Sequence, residues 1–124
     1  MIIKRKQDFI GILENIANEA NKKFPNQKGV GMEIVYRPNS VKDIKAEIFF
    51  GWDDCDYLHV NCYNDGRMQN DDDYREYFSE ELLKERLIDE INELLKENIP
   101  GTKEKLEYIK KSLENLNKLS TKIF

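Results

Sequence analysis

The chain's only histidine, His59, stands between its only two cysteines in the order Cys55-x3-His59-x2-Cys62, with Asp53, Asp54 and Asp56 close by. Such residues could ligate zinc, form a Cys–His nucleophile pair, or do acid–base work through His59 and an aspartate. Zinc needs four convergent ligands, and structural sites draw them from paired Cys-x2-Cys knuckles that this sequence lacks. His59 and Cys62 also fall within one predicted strand, where successive side chains alternate between faces, so these two point apart. The same parity argues against a Cys55–Cys62 disulfide. Cys62 reads better as a small apolar core residue. Cys55 could share a face with His59 only if the strand begins early, through the Asp-rich turn.

The remaining motifs are no more specific. Asp71-Asp72-Asp73 gathers carboxylates, but the EF-hand pattern of alternating acids, central glycine and distant glutamate is not matched. Gly29-Val30-Gly31 opens a predicted strand rather than a helix, so it is no phosphate cradle. No serine lies in a Gly-x-Ser-x-Gly elbow. The sequence therefore predicts no catalytic residue, no metal and no cofactor, and the protein is expected not to be an enzyme.

The elements that must position these residues follow from two switches of hydrophobic period. Phe9, Leu13, Ile16, Ala17, Ala20 and Phe24 lie on one helical face, with Lys22 and Lys23 in the last turn and Pro25 as the stop. The period then becomes two: Val30, Met32, Ile34 and Tyr36 share a face, as do Ile44, Ala46, Ile48 and Phe50, and Leu58, Val60 and Cys62. Asn64-Asp65-Gly66 is a hairpin signal leading to a short fourth strand at 67–69. Ser79 with Glu80 and Glu81 starts a second helix whose stripe is Leu83, Leu87, Ile88, Ile91, Leu94 and Leu95. Pro100-Gly101 ends it, and Thr102 is expected to cap a third helix carrying Leu106, Ile109, Leu113 and Leu116. The predicted helices span about 8–24, 80–98 and 103–119, with boundaries good to about 2–4 residues. The expectation is a single α+β domain over 1–124: an N-terminal helix, a three- to four-stranded antiparallel meander, and two C-terminal helices forming a helical hairpin.

The other face of the predicted sheet mixes polar and aromatic groups: Glu33, Val35, Arg37, Lys45, Glu47, Phe49, Tyr57, His59, Asn61 and Tyr63. Either the C-terminal helices fold over this face, the arrangement favoured for so small a chain, or it is open and serves as a binding patch.

Net charge is −4 from 20 basic and 24 acidic residues, but its distribution is uneven. Residues 53–93 carry 14 acids against 4 bases, while both ends of the chain are mildly basic. Such a field disfavours nucleic acid and attracts a basic protein. No apolar run reaches the roughly 18 residues of a membrane span, and no secretory signal pattern opens the chain. A cytoplasmic protein without a membrane partner is expected, monomeric or weakly dimeric through its C-terminal helices.

In general profile the chain is similar to the small acidic immunity or antitoxin proteins of bacteria, and to phage-encoded inhibitors of host defence. The resemblance is one of type and rests on no motif. It implies an inhibitor that occludes the active site of a basic toxin such as a nuclease. The residues expected to meet that partner are Trp52, Asp53, Asp54, Tyr57, Asp71, Asp72, Asp73, Tyr74 and Tyr77, with Phe78 beside them. The alternatives are a phage anti-defence inhibitor that mimics nucleic acid, and a small metal-dependent hydrolase using His59 and neighbouring aspartates.

Overall fold

The computed structural model describes residues 8–52 and 55–116. Element order is α1 (Phe9–Lys23), β1 (Val30–Tyr36), β2 (Ile44–Trp52), β3 (Cys55–Tyr63), β4 (Met68–Asn70), α2 (Glu80–Glu97) and α3 (Lys103–Glu114). The four strands form one antiparallel sheet in the order β1-β2-β3-β4. The expected α+β architecture is present, with strand ends shifted by one or two residues. The predicted extension of the last helix to 119 lies partly outside the described residues.

Parity decides which side of the sheet is covered. The even-numbered rows of β2 and β3 are closed off almost completely: Ala46, Ile48, Phe50 and Val60 are 0% exposed, Leu58 2% and Cys62 1%. All three helices contribute their apolar stripes to the same cluster, through Leu13, Ala20, Leu83, Leu87, Ile91, Leu106, Ile109 and Leu113. Helix α1 packs on β1, α2 on β3, and α3 lies against both other helices. The C-terminal helices therefore do not fold over the mixed face, correcting the covered arrangement expected above. The reason is apolar area: each helix has one stripe to bury, and only the even face offers a continuous apolar surface in return. No helix among the described residues is long and apolar enough to cross a membrane.

Two turns are chemically explicit. Gly66 adopts φ 96°, as a tight reversal between β3 and β4 requires. At the start of α2, Ser79 Oγ accepts the Leu82 backbone N–H at 3.1 Å, the expected cap. Thr102 precedes α3 but does not cap it. Its hydroxyl donates backward to the Ile99 carbonyl at 2.8 Å, tightening the turn between the helices instead.

Candidate functional site

The odd-numbered face is built around His59, on β3, where it pairs across the ladder with Phe49 of β2. Their rings stack with centroids 4.3 Å apart. His59 Nε2 meets Glu47 Oε1 at 2.8 Å and His59 Nδ1 meets Asp71 Oδ2 at 3.2 Å. Arg37, the residue after β1, donates its Nε to the other oxygen of Glu47. Asn61, only 6% exposed, donates Nδ2 to Asp71 Oδ1 at 2.9 Å. The result is a continuous chain Arg37–Glu47–His59–Asp71–Asn61 across three strands and into the loop after β4. Burial alone would raise the Glu47 pKa. The hydrogen bonds from Arg37 and His59 outweigh it and hold this carboxyl below its usual range.

This arrangement limits what His59 can do. A neutral imidazole carries one ring N–H and can serve only one of its two carboxylate neighbours; serving both takes the doubly protonated ring. Either way, neither nitrogen is left facing outward to take a proton from a substrate. Cys62 lies on the opposite face, 1% exposed, and burial pushes its thiol up to about 12. Cys55 is exposed, and both cysteines are free thiols. Among the described residues no group of three or more His, Cys, Asp or Glu side chains is arranged to hold a metal ion.

The chain Arg37–Glu47–His59–Asp71–Asn61 meets the loop 71–77 at Asp71, and the loop's conformation is fixed at nearly every residue. The Asp71 backbone N–H bonds the His59 carbonyl at 2.8 Å, and the Asp72 N–H bonds Asn70 Oδ1 at 2.9 Å. Asp73 accepts from the Glu76 N–H through its carbonyl at 2.9 Å and from the Arg75 N–H through Oδ1 at 3.1 Å. Residues 76–78 then run back along β4: the Asn70 N–H bonds the Glu76 carbonyl at 2.9 Å, and the Phe78 N–H bonds the Met68 carbonyl at 2.8 Å. Glu76 is held by Asn70 and by Arg86 of α2, and these two bonds lower its pKa against the effect of burial. Gln69 donates to the Tyr74 carbonyl at 2.9 Å and accepts from the Tyr63 hydroxyl at 2.6 Å.

On this fixed loop Asp71, Asp72 and Asp73 are exposed, Tyr74 is 72% exposed and Tyr77 47%. Five of the nine residues expected to meet a partner are thus brought together. Phe78 is buried and anchors the loop to the core. Trp52 is separated from the loop: it packs against the helix-covered core at the far end of β2. Asp53 and Asp54 lie outside the described residues, and Tyr57 is described only by its place in β3. The sequence reading missed Arg37, Glu47 and Asn61 as loop anchors, although strand parity had already placed all three on the face of His59.

No protein-family model, curated protein or solved structure matches the chain in comparison.

Proposed function

We propose that this protein is a small acidic inhibitor of the immunity type, which docks a basic protein such as a nuclease toxin and blocks its active site. The observation that carries this reading is the pair of large exposed tyrosines, Tyr74 and Tyr77, on an acidic loop locked by its own hydrogen bonds. Exposed tyrosines supply contact area at low entropic cost, and a loop already fixed loses little further freedom on binding. The aspartates around them supply the field that steers a basic partner. The engagement of both His59 nitrogens favours binding over acid–base catalysis.

The division of labour is testable once a basic partner has been captured with the tagged protein. Asp72→Asn with Asp73→Asn should slow association and flatten its dependence on salt around about 0.1 M, with little effect on dissociation. Tyr74→Ala or Tyr77→Ala should speed dissociation about tenfold or more and leave association nearly unchanged. Asp71 is left out of the charge exchange because its carboxylate also holds Asn61 and His59. A partner whose binding is indifferent to salt, to both aspartates and to both tyrosines would refute the reading.

A further inference from the structure

Two lysines are buried among the described residues, and their surroundings differ. Lys84, 6% exposed, pairs with Glu81 at 2.7 Å. Lys105, 4% exposed, forms no ion pair among the described residues. Its Nζ donates to the Gln27 carbonyl at 3.0 Å, which accounts for one of three N–H groups. A buried ammonium without a countercharge is costly, and burial lowers the pKa of Lys105 accordingly. In a chain with more acids than bases, a buried lysine without a carboxylate needs a physical reason.

The position is built for the amine. Gln27 fixes the first turn of α3, accepting the Lys105 backbone N–H on Oε1 at 2.9 Å and donating Nε2 to Glu104 at 3.2 Å. A Cβ on Gly31 would sit 3.1 Å from Lys105 Nζ and 3.3 Å from its Cε, so any larger residue at that point of β1 would push the amine aside by a few tenths of an ångström. Beside the amine, at the outer edge of the sheet, opens a cleft of about 380 Å³ lined by Asn21, Lys28, Gly31, Glu33, Trp52 and Lys105. That volume falls in the range of small-molecule sites, about 300–1,000 Å³. Among the described residues its lining carries two cations, Lys28 and Lys105, against one carboxylate, Glu33, a surplus that one negative charge balances. Trp52, half-buried at the edge of the core, adds its indole to that lining.

We infer that this cleft binds a small, flat organic monocarboxylate, its carboxylate seated on Lys105 and its body against Trp52. Such a ligand supplies the countercharge that the buried ammonium lacks among the described residues, and a charge-assisted hydrogen bond in a partly desolvated site is among the stronger polar contacts. The cleft lies at the β1 edge of the sheet and the acidic loop at the β4 edge, so ligand binding and partner docking stand or fall separately.

Titration with benzoate, followed by amide and indole N–H resonances, tests this. Saturable shifts centred on Gly29, Gly31, the Trp52 indole and the first turn of α3 are expected, with inorganic phosphate binding more weakly. Lys105→Met keeps most of the buried stem and should weaken benzoate binding about tenfold or more. Lys28→Gln, at an exposed position, should weaken it several-fold and serves if the Lys105 variant does not fold. No saturable shift at these residues, unchanged affinity in both variants, or tighter binding of phosphate than of benzoate would each overturn the assignment.

Discussion

Asp71 joins the acidic loop to the sheet, and its removal has a cost that can be worked from its contacts. Asp71→Ala deletes the acceptor of Asn61 Nδ2 at 2.9 Å and the carboxylate facing His59 Nδ1 at 3.2 Å. Asn61 is 6% exposed, so its amide is left in a place that water reaches poorly. An orphaned buried donor costs about 1–3 kcal/mol. The Asp71 side chain is 44% exposed, which lets water partly refill its place, and the charge contact to His59 is discounted for the same screening. The expected loss is therefore in the lower half of that range, about 1–2 kcal/mol. Asp71→Asn keeps an acceptor oxygen for Asn61 and should cost less, about 0.5–1 kcal/mol. Pairing Asp71→Ala with Asn61→Val removes donor and acceptor together, so the double variant should lose less than the sum of the single losses. Urea unfolding followed by the fluorescence of the single tryptophan measures the wild type, the three single variants Asp71→Ala, Asp71→Asn and Asn61→Val, and the double variant. Hydrogen exchange adds a local readout: the amides of Asn70 and Asp71, bonded to the Glu76 and His59 carbonyls, should exchange faster in Asp71→Ala than global stability requires. A loss under about 0.3 kcal/mol with unchanged loop exchange, or strict additivity in the double variant, would refute the reasoning.

Two pH predictions follow from the buried Cys62 and the half-buried Glu47, on opposite faces of the sheet. Cys62 has a folded pKa of about 12 because of burial, above the ordinary thiol value near 9. Its stability contribution is complete below about pH 9 and is lost above it, where the unfolded chain ionises and the fold does not. Wild type should lose about 1 kcal/mol more than Cys62→Ala between pH 9 and pH 10 in urea midpoints, and equal slopes would contradict this. Glu47 has a depressed pKa, so its contribution is present above the ordinary carboxyl value of about 4.5 and is lost as pH falls from there through the folded value. Glu47→Gln should flatten the acid limb of the stability profile, and an acid limb as steep as wild type would count against the Arg37–Glu47–His59 chain.

The elements were legible because each obeys one period and each period has one physical cause. A helix with a single stripe and a strand with alternating faces can be read from Leu13, Ile16 and Ala20 or from Ala46, Ile48 and Phe50 without knowledge of their partners. The placement of the two C-terminal helices differs from the arrangement favoured on the ground of chain size, which set them over the mixed face. Burial needs apolar area on both sides of a contact, and the row Glu33, Arg37, Lys45 and Glu47 could not provide it. Comparing the two faces of the sheet, rather than counting residues, would have given the right answer.

The site was legible only where its cause is local. Tyr74 and Tyr77 announce themselves as aromatic residues within an acidic stretch, and the turn at 71–76 is made by aspartates and asparagine bonding backbone groups two residues on. Trp52 was grouped with them because it is large and lies close in sequence to Asp53 and Asp54. Its even parity puts it on the core side, at the far end of β2 from the turn to β1. What holds the loop in place is not local at all: Asn61 and Asp71 are ten positions apart, and His59 and Glu47 twelve. The contact of Gln27 with Lys105 spans 78 positions. Such pairings depend on register and on helix placement, which no spacing within one segment encodes. Strand parity nevertheless narrows the search, since it makes these polar side chains neighbours, and those of them that water reaches poorly, Asn61 above all, must find partners in the protein. Glu47, His59 and Asn61 do so by recruiting Arg37 from one side and Asp71 from the other. The bond that completes this polar face is therefore the one that sets the acidic loop beside it.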